Sequence, residues 1–185
     1  LEKNKLDVRF GLYNEWATIS AGLIRGGGGV ALELKPFYDK KFLVCESLRE
    51  IRLPSTVKKI DSSAFQGCKN LATIIVDENN GWFSSEDNCL YDKYQTALVR
   101  CSSEYETFIA PELLSYINPY AFSGCMNLQK VFLPQYLLRI EDYTFANCEN
   151  LDTVDIPDNV IAIKKCAFEN CKNLVTLNIG QYSSL

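Results

Sequence analysis

Apolar residues recur with a fixed period of 23 between Cys125 and Cys171. The chain reads Cys-Met-Asn-Leu-Gln-Lys-Val-Phe-Leu-Pro from Cys125 and Cys-Glu-Asn-Leu-Asp-Thr-Val-Asp-Ile-Pro from Cys148. Three further columns keep this spacing: Asn127, Asn150 and Asn173; Leu128, Leu151 and Leu174; Phe122, Phe145 and Phe168. A short repeat that cannot bury its apolar side alone predicts a solenoid, in which successive copies, here called rungs, stack on one another.

Within the first clear rung, the pattern predicts a strand, a second extended piece and a turn. The alternation of apolar residues over 48–53 suits a short strand, and Pro54 ends it because proline donates no ladder hydrogen bond. Residues 57–60 follow as a second extended piece. Residues 62–66 carry hydroxyl groups placed to cap one helical or 3₁₀ turn, and Gly67 permits the exit from it.

An insertion interrupts the repeat. The gap from Cys68 to Cys125 is 57 residues, 11 more than two rungs would occupy. Subtracting 23 from the later apolar positions places the start of the intervening rung at Ser102, so the extra residues lie within 78–101. There, 89–91 and 97–99 flank the polar turn 92–96, which predicts an inserted β-hairpin.

The eight cysteines divide into two groups. Five share one repeat position and are expected to be buried as small apolar side chains: Cys45, Cys68, Cys125, Cys148 and Cys171. Cys166, Cys89 and Cys101 lie off this column, and a Cys89–Cys101 bridge is conceivable. The absence of a Cys-x-x-Cys pair argues against a zinc or redox site.

The two ends of the chain depart from the repeat. Residues 1–44 are expected to be an irregular segment that serves as a degenerate first rung or an end cap, with 45–185 as the solenoid. Gly26–Gly29 is interpreted as a flexible loop, a linker or an artificial junction. The chain begins without Met, and its last rung lacks a second half, so we expect a piece of a longer protein.

Composition limits the possible chemistry. An apolar content of 47% supports a real core, and a net charge of -4 argues against nucleic acid or an anionic membrane as partner. No run of 18 apolar residues occurs, so no membrane insertion is expected. Histidine is absent, which removes the commonest general base and most zinc or iron sites. We expect no catalytic residue, cofactor or metal.

The outward strand positions form two columns if alternate residues face the core. One column is Arg52, Ile75, Ile109, Phe132, Asp155 and Asn178, and the other is Glu50, Thr73, Thr107, Lys130, Thr153 and Thr176. Ile75, Ile109 and Phe132 predict a contiguous exposed apolar strip of the kind that marks a contact surface. Alternatively, the insertion folds over this strip through Trp82 or Phe83 and buries it. The candidate partner-binding residues are Ile75, Ile109, Phe132, Lys130, Thr107, Thr73, Trp82 and Phe83.

Two other polar groups are interpreted as structural. The asparagine column is expected to bond unpaired backbone groups of the neighbouring rung rather than a ligand; its members are Asn70, Asn127, Asn150 and Asn173. The acidic residues at 141, 142, 152, 155 and 158 lack the spacing of a calcium loop and are interpreted as solvated surface.

The repeat Cys-x-Asn-Leu-x-x-Ile-x-Ile-Pro, followed by Val-x-x-Ile-x-x-x-Ala-Phe-x-x-Cys, resembles the BspA-like, treponemal type of leucine-rich repeat over residues 45–185. The insertion sequence Asn80–Lys93 also resembles one found in that family. Asp77 in place of proline and Ser102 in place of cysteine are departures. The resemblance implies a right-handed leucine-rich-repeat superhelix, a β-rich α/β fold with short strands and short helical or 3₁₀ turns, on a secreted or cell-surface bacterial protein used for adhesion.

The sequence therefore favours a non-catalytic module that binds a protein, such as a host extracellular or cell-surface protein, through the strand face and the inserted hairpin. A monomer is expected. The alternative is a structural spacer that presents another domain, and an enzyme is a distant third. The residue types on the strand face distinguish the binding module from the spacer. A spacer should carry mixed polar residues there, whereas a binding module should carry an apolar centre.

Overall fold

A computed structural model describes the backbone of three N-terminal strands, and residues 49–61 and 63–180 in full. The gaps include Cys45, Leu48, Ser62 and Gly26–Gly29, whose expected roles lie outside the described residues. The strands are β1 (Lys5–Phe10), β2 (Ala17–Gly22), β3 (Ala31–Leu34), β4 (Glu50–Leu53), β5 (Thr73–Val76), β6 (Phe83–Glu86), β7 (Cys89–Asp92), β8 (Ala97–Cys101), β9 (Thr107–Ile109), β10 (Tyr116–Ile117), β11 (Lys130–Phe132), β12 (Arg139–Ile140), β13 (Thr153–Ile156), β14 (Ala162–Ile163) and β15 (Thr176–Ile179).

Parallel strands from successive rungs stack in the predicted register. β9, β11, β13 and β15 form one four-stranded parallel sheet, in which Lys130 pairs with Thr107 on one side and Thr153 on the other. Each partner is 23 residues away. The rung start at Ser102, obtained by subtraction, is confirmed by this register. The smaller parallel pairs are β4 with β5, β8 with β10 and β12 with β14.

Side chains at equivalent positions stack inside the molecule. The rings of Phe122 and Phe145 are 5.0 Å apart with an interplanar angle of 13°, and those of Phe145 and Phe168 are 5.3 Å apart at 8°. Each buried ring contributes about 1.5 to 3 kcal/mol by leaving water. The expected aromatic column is confirmed, and with it the solenoid.

Cys68, Cys125 and Cys148 of the cysteine column are buried as expected and Cys171 is half-buried, and thiols of the column also satisfy the backbone. The Cys148 Sγ donates to the carbonyl of Phe122 at 3.1 Å, and the Cys171 Sγ donates to the carbonyl of Phe145 at 3.1 Å. Ser102, in the same column, donates through Oγ to the carbonyl of Ala72 at 2.8 Å. A hydroxyl can replace the thiol there because the position needs a small donor to the preceding rung.

The described residues contain no helix, so the expected helical or 3₁₀ element is wrong there. The segment that follows each second strand is instead a series of turns closed by bonds such as Cys148 N–H to Phe145 O, 3.1 Å. The residue before each column cysteine within the described ranges adopts the left-handed conformation, which glycine and asparagine tolerate best. These residues are Gly67 (φ 78°), Gly124 (75°), Asn147 (61°) and Asn170 (57°).

The second extended piece is a strand only in later rungs. β10, β12 and β14 occupy this position, whereas residues 57–60 of the first described rung form no strand. In the later rungs this piece has a ladder partner, since β10 pairs with β8, and β12 and β14 pair with each other. The expectation of an extended strand at 57–60 is therefore wrong for that rung.

The insertion contains the expected hairpin and one strand more. β7 and β8 pair antiparallel around residues 93–96, and β6 pairs antiparallel with β7 through the two-residue turn Asp87–Asn88. Both turn residues have positive φ, 48° and 55°, as a tight hairpin turn with the twist of its strands requires. Asp77, where other rungs have proline, leads into the insertion, and its N–H donates to the carbonyl of Leu53 at 2.8 Å.

The strands of the insertion separate two apolar cores. One face carries Phe83, Leu90 and Val99 into a core with the first two rungs; the other carries Cys89, Tyr91, Leu98 and Cys101 into the core of the later rungs. Cys89 and Cys101 lie opposite each other in the ladder and are joined by a disulfide. The bridge left open by the sequence is therefore present, and it ties β7 to β8.

Two buried polar side chains connect the insertion to the rungs through hydrogen bonds. The Arg100 guanidinium is fully buried and donates to the carbonyls of Tyr120 (2.9 Å), Ala121 (3.4 Å), Ser123 (2.8 Å) and Cys68 (3.1 Å). Asn80 is also fully buried. Its Nδ2 donates to the carbonyls of Pro54 (2.9 Å) and Val57 (3.1 Å), and its Oδ1 accepts from the N–H groups of Trp82 and Phe83, each at 2.8 Å.

The three N-terminal strands form a separate antiparallel sheet in the order β1-β2-β3. The role of residues 1–44 as a degenerate first rung or an end cap stays a prediction.

Candidate binding surfaces

The outward side chains of the large parallel sheet, here called the strand face, form a regular grid. The ladder places Thr107, Lys130, Thr153 and Thr176 in one row, and Ile109, Phe132, Asp155 and Asn178 in the next. Neighbouring strands are about 4.8 Å apart, and residues two apart on one strand about 6.6 Å. The last four members of each column agree with the order read from the sequence, whereas the first two lie on β4 and β5, which pair with each other.

Ile109 and Phe132 are adjacent and open to solvent. The exposed fractions are 72% for Ile109 and 49% for Phe132. Each residue alternates with a buried one, Phe108 or Val131, which holds the strand down on the core. The two outward side chains therefore form an apolar pair at the β9 end of the sheet.

Ile75 does not extend this pair, so the expected three-rung strip is wrong. Ile75 is half-buried on β5, and β5 pairs with β4 rather than with β9. The reason is the insertion, because the N–H of Val76 donates to Ser85 Oγ on β6 at 3.1 Å. Thr73, on the same strand, is likewise half-buried.

The insertion does not cover the pair either. Phe83 is buried inside the core of the first rungs, whereas Trp82 remains 46% exposed with the Lys58 Nζ 5.0 Å from its ring centroid. Ile109 and Phe132 stay open in the presence of the whole insertion. The alternative in which Trp82 or Phe83 folds over the strip is therefore wrong.

Charged groups lie beside the apolar pair. Lys130 is exposed on the same strand as Phe132, and no described carboxylate is within ion-pair distance of its ammonium group. Asp155 is exposed beside Phe132 on the next strand, and its Oδ1 accepts a hydrogen bond of 2.6 Å from Asn178 Nδ2. The strand face thus presents a cation, an apolar centre and an anion.

A second exposed surface was missed by the sequence reasoning. It consists of exposed side chains on or just before the second strands of their rungs and is here called the tyrosine–leucine band: Leu113 (66% exposed), Tyr116 (42%), Tyr136 (66%), Leu138 (57%) and Ile161 (50%). The signal was present, because Leu113 and Tyr136, and likewise Leu138 and Ile161, are 23 residues apart. The columns were read only along the first strands.

The electrostatics of this band centre on Tyr116. Partial burial, followed by the carboxylate of Glu141, raises the pKa of the Tyr116 hydroxyl, and Arg139 opposes the rise. The hydroxyl therefore stays protonated at neutral pH and can donate a hydrogen bond to a partner.

Within residues 49–61 and 63–180, the other polar groups offer no second kind of site. Asn127, Asn150 and Asn173 are exposed, and within the described ranges none of their side chains bonds the backbone; Asn173 Nδ2 donates to Asn150 Oδ1 at 3.3 Å. The expectation of backbone bonding is wrong for these three, because solvent reaches them. Among the residues with described side chains, no cluster of Cys, Asp and Glu is suited to a metal ion. In the same part of the chain, no helix is long and apolar enough to cross a membrane.

Several bacterial proteins share this architecture. A leucine-rich repeat protein from Eubacterium ventriosum is 30% identical and superimposes with a TM-score of 0.69, over 72% of this chain and 36% of that protein. The pneumococcal vaccine antigen PcpA is 25% identical, with a TM-score of 0.62, over 73% of this chain and 40% of that antigen. A leucine-rich cell surface protein from Faecalibacterium prausnitzii, 23% identical with a TM-score of 0.54 over 72% of this chain and 48% of its own, shows the same fold.

This chain thus spans less than half the length of each of these solved structures. No match was found among curated proteins. The BspA type leucine rich repeat region matches residues 33–108 and 95–184 in six copies, which covers the solenoid and its insertion. The chain belongs to the BspA-type leucine-rich repeat family.

Proposed function

We propose that this chain is a non-catalytic protein-binding and adhesion module of a secreted or cell-surface bacterial protein, which binds its partner through the strand face and the insertion. The observation that carries the proposal is the apolar pair Ile109 and Phe132, exposed on a sheet whose other face is packed. A partner that covers this pair gains roughly 25 cal/mol for each Å² of apolar area removed from water. Trp82 offers a further exposed aromatic ring on the insertion.

A location outside the cytoplasm has two independent supports. The Cys89–Cys101 disulfide suits an oxidising compartment, since such bonds are rare in the cytosol. The likeness to a pneumococcal vaccine antigen points the same way.

The alternative function is a structural spacer that carries another domain. A spacer has no need of an exposed apolar pair, and mixed polar residues would serve it better. Exposed aliphatic and aromatic groups on neighbouring strands favour the binder. An enzyme has less support, because the chain lacks histidine and a nucleophile motif.

The proposal is tested with the double variant Ile109→Thr and Phe132→Thr. Threonine suits a strand and already occupies the neighbouring row, so the fold should be kept. The immobilised wild-type chain is expected to capture biotin-labelled surface proteins from cultured epithelial cells, and the double variant is expected to lose that capture. Circular dichroism and thermal unfolding establish that both proteins fold alike.

Val175→Thr is the matched control, because Val175 is an exposed apolar residue outside the strand face. Capture that survives the double variant but disappears with Tyr136→Thr would move the binding site to the tyrosine–leucine band. Capture unaffected by any of these changes would refute binding through either apolar surface.

A further inference from the structure

The charges around the apolar pair restrict what can bind there. Phe132 has Lys130 two residues earlier on its own strand and Asp155 beside it on the next strand. Any group large enough to cover Phe132 therefore also removes water from an ammonium and a carboxylate. Burying such charges without partners is costly, so a purely apolar surface is a poor occupant.

Neither charge is neutralised within the described part of the chain. No described carboxylate pairs with Lys130, and the hydrogen-bond partner of Asp155 is the uncharged amide of Asn178 at 2.6 Å. Lys130 and Asp155 lie diagonally across the grid. The spacings of strands and residues place their Cα atoms about 8 Å apart. Phe132 occupies the corner between them, with Ile109 on the far side of Phe132.

The size of the surface favours a segment over a second copy of the chain. Four strands span about 14 Å, and the two rows are about 7 Å apart. A stable dimer buries about 800 Å² on each partner, which is several times larger than this grid. A short extended segment of another protein matches its dimensions.

We propose that the strand face binds a short protein segment that carries an apolar side chain between a carboxylate and a basic side chain. The apolar group covers Phe132 and Ile109, the carboxylate pairs with Lys130, and the basic group pairs with Asp155. The hydroxyl groups of Thr107 and Thr153 flank the site and can bond the main chain of the segment. This inference rests on the proposed function and specifies the chemistry of its partner.

The test uses a random peptide library displayed on phage and selected on the folded chain. Enriched peptides are expected to carry an acidic and a basic residue on either side of an apolar one. Binding of the synthetic peptides is measured by fluorescence anisotropy. Lys130→Glu and Asp155→Lys are each expected to weaken it about tenfold or more, as desolvated charge pairs do, and Lys164→Glu, a charge reversal off this face, should leave it unchanged.

Exchange of charges provides the decisive measurement. A peptide whose acidic residue is replaced by lysine should bind Lys130→Glu better than it binds the wild-type chain. If Phe132→Thr abolishes binding but both charge reversals leave it intact, the proposed surface stands and this inference fails. If peptides bind regardless of Phe132, both fail. Two outcomes would show that a short segment is not the occupant. One is that no peptide is enriched, and the other is that sedimentation shows dimers of the chain that are lost in the variant Phe132→Thr.

Discussion

Arg100 Nη2 donates a hydrogen bond to the carbonyl of Cys68 at 3.1 Å, while Nη1 of the same guanidinium bonds carbonyls near Tyr120. One side chain thus joins the rung before the insertion to the rung after it. All of its hydrogen-bond acceptors are main-chain carbonyls of turns that have spare acceptor capacity. The guanidinium charge is stabilised by the dipoles of these carbonyls. The carbonyls in turn accept hydrogen bonds that water would otherwise donate.

Replacing Arg100 with methionine should lower the free energy of unfolding by about 3 kcal/mol or more, since its charge-assisted hydrogen bonds to four main-chain carbonyls are lost. Methionine fills much of the same space, so the loss reports hydrogen bonding more than volume. Urea unfolding followed by circular dichroism measures it. Arg139→Met, at an exposed position, is the control and should change stability by no more than about 0.5 kcal/mol. Equal unfolding free energies for the two variants would contradict the anchoring role.

Asn80 makes four hydrogen bonds from a fully buried amide, because its Nδ2 donates twice and its Oδ1 accepts twice. Asn80→Ala should therefore cost about 2 to 4 kcal/mol. Chemical denaturation is again the measurement. Asn79→Ala, one residue away and exposed, provides the comparison and should be nearly neutral. A similar small change at both positions would show that the amide does not hold the insertion.

The repeating part of the fold was predictable because its period fixes every contact. Phe122, Phe145 and Phe168 stack at 23-residue intervals, so the register of one rung determines the next. Subtracting 23 from the residue number of Lys130 was enough to identify its partner on β9, Thr107. Local sequence and long-range contact carry the same information in a solenoid.

The insertion was only partly predictable, because its contacts follow no period. The two-residue turn Asp87–Asn88 was a readable signal for the third strand, since such residues adopt positive φ in tight hairpins. Arg100 gave no signal, because a charged residue in a strand is ordinarily placed on the surface. Its burial depends on carbonyls that come together only after both neighbouring rungs have closed. The half-burial of Ile75 was equally unpredictable, because it is caused by the contact of β5 with the insertion.

The Cys89–Cys101 disulfide closes a segment with a sequence separation of 12 between β7 and β8. Closing a loop of this size removes freedom from the unfolded chain and should stabilise the fold by about 2 to 3 kcal/mol. A reductant should thus lower the urea midpoint of the wild-type chain. The variant Cys89→Ala with Cys101→Ala should show no response to reductant. Peptide mapping without reduction should recover the linked peptides, and free thiols at both positions would refute the bridge.

The thiol of Cys148 should make stability fall at alkaline pH. Burial, followed by the neighbouring Cys125 and Cys171 thiols, raises the pKa of Cys148 well above the ordinary value of 9.0. The unfolded chain therefore loses this proton at a lower pH than the folded chain does. The stabilising contribution is complete below pH 9 and declines as pH rises towards the folded-state pKa. The thiolate would also lose the hydrogen bond that Sγ donates to Phe122.

Urea midpoints of the wild-type chain and of Cys148→Ala, measured from pH 7.5 to 10.5, isolate this contribution from that of other titrating groups. The variant should be less stable at pH 7.5, because a cavity replaces the sulfur. The difference between the two proteins should narrow above pH 9. Cys166→Ala, at a half-exposed position off the column, is the matched control for the general effect of removing a thiol. A difference between wild type and Cys148→Ala that stays constant with pH would mean that the buried thiol does not resist ionisation.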